Sequence, residues 1–132
     1  MAFHKKVIYQ LYPKSFYDSD GDGVGDLRGI IEKIDYLKAL HIDMIWFNPF
    51  FVSPQYDNGY DVADYRQIDP RFGTMADFEE LAQKLKAAGI DIMLDMVLNH
   101  TSTQHVWFQK ALAGDKHYQD YYYIRPPKPD GS

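Results

Sequence analysis

Three short apolar runs alternate with two amphipathic helical stretches in the first hundred residues, and this alternation constrains the fold more than any other feature. Residues 7–12 (Val-Ile-Tyr-Gln-Leu-Tyr) read as a strand that Pro13 stops. Leu27, Ile30, Ile31, Ile34 and Leu37 then recur at helical spacing behind Asp26, which suits an N-cap. Met44, Ile45, Trp46 and Phe47 form a second strand-like run, followed by a long loop holding Pro49, Pro54, Gly59 and Pro70. Thr74 and Asp77 have the spacing of a capping box. Phe78, Leu81, Leu85 and Ala88 continue one apolar face until Gly89 ends it. Residues 90–98 read as the third strand and residues 106–112 as a short helix.

This order predicts βαβ units on a parallel sheet with right-handed crossovers. Two architectures fit: an open doubly wound sheet, or the first three βα units of a TIM (β/α)8 barrel. Both place functional side chains where strands end. The segment from Tyr118 through Pro129 carries no helix or strand signal. At 132 residues the chain is one domain's worth or less. A net charge of -5 without a basic cluster argues against a nucleic-acid partner. No apolar run approaches the ~20 residues of a membrane span. There is no cysteine and no signal-peptide-like apolar start, so a cytoplasmic location is expected.

Three groups of residues suggest chemistry. In the stretch from Asp18 to Asp26, carboxylates stand at its first, third, fifth and ninth positions, with Gly23 at the sixth and the Val24 carbonyl at the seventh. That is oxygen-ligand spacing for Ca²⁺ or Mg²⁺, although Gly29 stands where an EF-hand has its Glu and the flanks read strand-then-helix. The bland alternative is a solvated Asp/Gly turn. In the second group, Asn58, Gly59, Tyr60 and Asp61 follow a strand-like run. Tyr60 can stack on a sugar ring while Asp61 binds its hydroxyls, yet taken alone this is an ordinary Asn-Gly turn with a packed Tyr. The third group is Asp95 with Asn99 and His100. An acid inside an apolar run needs a partner. Strand alternation puts Asp95, Val97 and Asn99 on one face, and His100 just beyond could donate to a hydroxyl. The alternatives are an Asp bonded to its neighbours and a His that only caps. Aromatics at 16%, with eleven Tyr, fit core packing and sugar stacking equally.

Taken together and in order, these pieces resemble the N-terminal part of a glycoside hydrolase of family 13, the α-amylase superfamily, over residues 7 to about 123. The run from Tyr9 to Phe16 (YQLYPKSF), the run from Asp22 to Leu27 (DGVGDL) and the run from Ser53 to Asp61 (SPQYDNGYD) resemble the oligo-1,6-glucosidase and α-glucosidase branch. The run from Asp95 to His100 (DMVLNH) resembles that family's first signature region. Residues 99–108 (NHTSTQHVWF) most resemble trehalose-6-phosphate hydrolases, because dextran and isomaltose enzymes more often carry an acidic pair where Thr103 and Gln104 stand.

The resemblance implies a TIM barrel of about 250 residues or more. Its first three βα units would occupy residues 1–103, with the start of an inserted subdomain in residues 104–132. It implies retaining hydrolysis of an α-glucosidic bond by two carboxylates. The nucleophile and the acid/base are expected beyond the chain's end, so no catalytic residue is assigned within it. Tyr60 is expected to stack on the non-reducing glucose, Asp61 to bind its hydroxyls and His100 to contact its 6-hydroxyl. Asp95 would support the charge network, and Asp18, Asp20, Asp22, the Val24 carbonyl and Asp26 would hold structural Ca²⁺ or Mg²⁺. The expected partner is a small α-glucoside, most simply trehalose 6-phosphate, acted on by a longer monomeric enzyme. Within the family the alternative is an oligo-1,6-glucosidase or other α-glucosidase or glucosyl-transferring relative; from other classes, a non-catalytic ancillary member of the family and a complete small doubly wound protein are the competing readings. The ancillary member would need a membrane span and degraded pocket motifs, the doubly wound protein a further strand pair after Leu98.

Overall fold

The computed structural model describes residues 5–131; residues 1–4, on which the absence of a signal-peptide-like start partly rests, and residue 132 lie outside that range. Strands β1 (Ile8–Leu11), β2 (Met44–Phe47) and β5 (Asp91–Leu94) form a parallel sheet in the order β1-β2-β5. Between β1 and β2 lie the short helices α1 (Pro13–Phe16), α2 (Leu27–Glu32) and α3 (Ile34–Ala39). Between β2 and β5 lie an antiparallel pair, β3 (Phe51–Val52) and β4 (Asp64–Ile68), and the helix α4 (Met75–Ala87). Helices α5 (Val106–Leu112) and α6 (Lys116–Gln119) follow β5 and pack on each other.

The expected strand–helix order holds, with local departures. The stretch expected as one helix breaks at Lys33 (φ -103°, ψ 11°), which closes α2 and opens α3. The break still leaves Leu27, Ile30, Ile34 and Leu37 buried, so the core tolerates it. The third strand is shorter than expected: the ladder ends at Leu94, because Asp95 N–H gives the last bond to the Phe47 carbonyl (3.1 Å) and the chain then turns away. The β3–β4 pair lies in what sequence patterning read only as loop, and α6 begins where no element was expected.

The termini of α4 follow directly from its sequence. Thr74 Oγ accepts from Asp77 N–H (3.2 Å) and Asp77 Oδ2 accepts from Thr74 N–H (2.8 Å), a complete capping box. At the other end Gly89 adopts φ 76°, its N–H reaches the Lys86 carbonyl (3.0 Å), and Ile90 N–H reaches the Leu85 carbonyl (2.9 Å). That is a Schellman closure, which favours glycine because of its left-handed backbone.

In-register parallel pairing sorts the sheet into two faces. Leu11, Ile45 and Phe47 turn toward the helices and join Leu27, Ile30, Leu37, Leu81 and Leu85 in one buried core. Gln10, Trp46 and Met93, paired side by side, occupy the opposite face. One step further along that face come Tyr12, Asn48 and Asp95, at the carboxyl end of the sheet. This layer is where the site lies.

Candidate functional site

Three strand ends and the loop leading into β4 converge in one hydrogen-bonded chain. Gln10 Nε2 donates to Asn48 Oδ1 (3.1 Å), Asn48 Nδ2 to Tyr60 Oη (2.7 Å), and Tyr60 Oη to Asp95 Oδ2 (2.9 Å). Every donor points the same way, toward the Asp95 carboxylate, so each bond polarises the next. Burial first, and then the Asp95 carboxylate it serves, push the Tyr60 phenol above its ordinary pKa and keep it a donor. The sequence thus named two members of this chain, Tyr60 and Asp95. It missed Gln10 and Asn48; the available signal was a polar Asn immediately after the apolar run Met44–Phe47.

His100 joins the same cluster from the loop after β5. Its Nδ1 lies 2.7 Å from Asn99 Nδ2 and its Nε2 lies 2.9 Å from the Tyr60 carbonyl. An amide nitrogen only donates and a carbonyl only accepts, so this pairing selects the neutral imidazole protonated on Nε2. Asn99 therefore orients His100 instead of sharing the Asp95 face, as alternation had suggested; the ladder's early end removes that alternation. Tyr65 Oη braces the loop from β4, lying 2.5 Å from the Val97 carbonyl and 2.8 Å from the His100 carbonyl.

Asp61 sits in a pocket of donors from its own loop. Oδ1 accepts from Ser53 Oγ (2.9 Å) and Asp57 N–H (3.0 Å), and Oδ2 accepts from Tyr56 N–H (3.0 Å). Burial works against the charged form, but the Asp57 amide, the Ser53 hydroxyl, the residue's own amide and the Tyr56 amide outweigh it and hold the pKa below the ordinary value. A carboxylate has about four acceptor directions. Three are occupied, so about one is left for a direct hydroxyl contact.

The acidic loop is separate and local. Asp18, Asp20 and Asp22 each offer an oxygen, and these lie within 4.8 Å of one another. Hydrogen bonds from Gly23 and Gly21 N–H lower the Asp18 pKa. At Asp20 a bond from Asp22 N–H favours the anion, but desolvation and repulsion from Asp22, Asp18 and Asp26 outweigh it and raise the pKa. Three oxygens gathered against their own repulsion fit a hard cation. Asp26 is placed differently: buried, it caps α2 by accepting from Gly29 N–H (2.6 Å), and it also takes Ser19 N–H (2.9 Å) and Ser19 Oγ (2.8 Å). It closes the loop onto the helix, outside the three-carboxylate group.

A groove of about 540 Å³ lies beside the site, bordered by Tyr65, Met96, Asn99, His100, Trp107 and Tyr121. It touches the cluster through His100. Among the described residues, no helix is long and apolar enough to cross a membrane.

Residues 10–132 match the model of the alpha amylase catalytic domain. The chain therefore belongs to the α-amylase catalytic-domain family, as the sequence resemblance implied, and its parallel sheet with flanking helices is part of that fold. It is 57% identical over 124 residues to the trehalose-6-phosphate hydrolase of Escherichia coli K12, matching 94% of this chain and 22% of that protein. It is 54% identical over 129 residues to the oligo-1,6-glucosidase of Heyndrickxia coagulans, matching 97% of this chain and 23% of that one. The crystal structure of trehalose-6-phosphate hydrolase from Bacillus licheniformis superposes with a TM-score of 0.92 at 53% identity, covering 97% of this chain and 23% of the other. The chain thus spans less than a quarter of the length of these relatives.

Proposed function

We propose that this chain is the N-terminal part of a longer retaining α-glucosidase and builds its pocket for the terminal glucose, with trehalose 6-phosphate as substrate. The observation that carries the reading is the convergence of Tyr60, Asp61, Asp95 and His100 at the carboxyl end of a parallel sheet, where barrel enzymes hold their substrates. Residues 1–103 belong to the barrel and residues 104–132 begin an inserted subdomain. The nucleophile and the acid/base, which attack the anomeric carbon and protonate the leaving oxygen, come from later strands. This segment binds and orients: Tyr60 offers its ring face, Asp61 its remaining acceptor, and His100 an imidazole held between Asn99 and the Tyr60 carbonyl, which a sugar hydroxyl would meet by displacing the carbonyl contact. Asp95 sets the charge at the pocket floor. The rings bordering the groove beside His100 suit the second sugar. The acidic loop holds structural Ca²⁺ or Mg²⁺ through Asp18, Asp20, Asp22, the Val24 carbonyl and Asp26, of which Asp18, Asp20 and Asp22 already gather their oxygens while Asp26 also caps α2. The enzyme acts as a cytoplasmic monomer.

Similarity to both trehalose-6-phosphate hydrolases and oligo-1,6-glucosidases favours one alternative, an oligo-1,6-glucosidase. The deciding measurement is kcat/KM of the longer enzyme on trehalose 6-phosphate and on isomaltose. A clear preference for isomaltose overturns the substrate assignment, and turnover of neither overturns the function. The 132-residue chain alone should not turn over a nitrophenyl α-glucoside, because positioning without nucleophile and acid gives no route to the glycosyl-enzyme intermediate. Activity above a mock preparation would refute that.

A further inference from the structure

The loop from Ser53 to Asp61 is costly to hold. Gln55 and Asn58 both lie in the left-handed region, at φ 65° and 52°. The Gln55 amide is buried and finds no hydrogen-bond partner among the described residues. Strained backbone of this kind persists only where its surroundings over-determine it. What over-determines it here is a buried residue at the loop's start. Ser53, 3% exposed, donates its N–H to Asp69 Oδ2 (3.1 Å), and its carbonyl accepts from an Arg71 guanidinium nitrogen (2.5 Å). Asp69 is itself 2% exposed and is gripped by the same guanidinium at both oxygens, each at 2.9 Å. That planar fork fixes the carboxylate's position as well as its charge.

Pinned at both backbone atoms, Ser53 has only its hydroxyl left to orient, and that is fixed too. Gln55 N–H donates to Ser53 Oγ (2.9 Å), which makes the oxygen an acceptor on that side. Its single proton is then directed at Asp61 Oδ1, 2.9 Å away. We propose that Ser53, locked by the buried Asp69 carboxylate and the half-exposed Arg71 guanidinium that grips it, is a positioning residue that presets the Asp61 carboxylate for the terminal sugar. This rests on Asp61 as a substrate contact, as read above. Neither Ser53 nor Arg71 nor Asp69 touches substrate; their effect passes through Asp61. A preset acceptor strengthens binding in the transition state because it need not reorganise as the sugar distorts.

A double-mutant cycle in the longer α-glucosidase tests it. Ser53→Ala should lower kcat/KM about tenfold, the scale of one hydrogen bond to a charged group, and Ser53→Thr, which keeps the hydroxyl, should restore most of it. In an Asp61→Ala background, Ser53→Ala should add almost nothing, because the group it positions is gone. Arg71→Lys keeps the charge but loses the fork. It should give a smaller loss that also vanishes without Asp61, and it keeps the test alive if Ser53→Ala fails to fold. Losses that persist undiminished in the Asp61→Ala background, or no loss in either single variant, overturn the positioning role. Near-normal kcat/KM in Asp61→Ala alone shows instead that the substrate-contact reading is wrong, and the positioning role falls with it.

Discussion

The molecule gathers carboxylates in two regions by opposite means. In the acidic loop, Asp18, Asp20 and Asp22 take their hydrogen bonds from amides within a few residues, and their charges face one another. At the strand ends, Asp95 is held by Tyr60, 35 residues away in sequence, and Asp61 rests on Ser53, which Asp69 and Arg71 hold in turn. The loop is charge collected against its own repulsion and relieved only by nearby amides, as a cation site needs. The strand-end network is charge already paired with directed donors, as a site recognising neutral hydroxyls needs.

The sharpest way to break this contrast is Asp61→Asn in the longer enzyme. One charged hydrogen bond to a sugar hydroxyl, worth roughly 1.5–3 kcal/mol, should appear as a fall in kcat/KM of about ten- to a hundredfold. Near-normal turnover would make Asp61 a loop anchor only. The same substitution carries a pH signature. A carboxylate with a lowered folded-state pKa stabilises above its unfolded pKa, about 3.9, and loses that contribution as pH falls through the folded value. Acid unfolding of Asp61→Asn should accordingly be less steep below about pH 4 than that of the parent.

Next in size is Tyr60→Phe, which removes the hydroxyl linking Asn48 to Asp95 and leaves two partly buried polar groups short of a partner. Denaturant unfolding should show a loss of about 1–3 kcal/mol. An unchanged midpoint would mean that the chain from Gln10 to Asp95 contributes nothing to stability.

The acidic loop should respond to cation instead. Excess Ca²⁺ should raise the Tm of the longer enzyme by several degrees, EDTA should reverse this, and Asp22→Ala should abolish the response. A flat melting curve across a Ca²⁺ titration leaves the loop a solvated turn. The smallest expected effect is the most specific. The raised pKa of Asp20 means that its folded-state charge is disfavoured, so it detracts from stability as pH rises through the carboxylate range. In EDTA at neutral pH, Asp20→Asn should therefore raise the Tm slightly, whereas in excess Ca²⁺ it should lower it. A rise in both conditions would remove Asp20 from any cation site.

Much of the fold was legible because it is encoded locally. The capping box at Thr74 and Asp77, the glycine closure at Gly89, the N-cap at Asp26 and the helix Val106–Leu112 each depend on neighbours within a turn. The acidic loop was legible for the same reason: its ligand spacing is a property of nine consecutive residues. The strand ends were legible only as a list of candidates, since Tyr60, Asp61, Asp95 and His100 could be named but not connected.

What the sequence by itself determined is the order of the three parallel strands and of the helical stretches between them, the position of the acidic loop and the membership of the α-amylase family, because short-range periodicity, capping and motif order carry them. Only the tertiary structure decided that β5 stops at Leu94, that Asp26 also takes both donors of Ser19, and that Gln10 and Asn48 complete the chain to Asp95. It also decided that the buried Asp69, gripped by Arg71, sits behind Ser53 and Asp61. Each of these turns on a hydrogen bond whose partner is chosen by how the strands register and where the loops fold back. A side chain's donors and acceptors can be read from its letter, but their direction is fixed only once the backbone that carries them is in place.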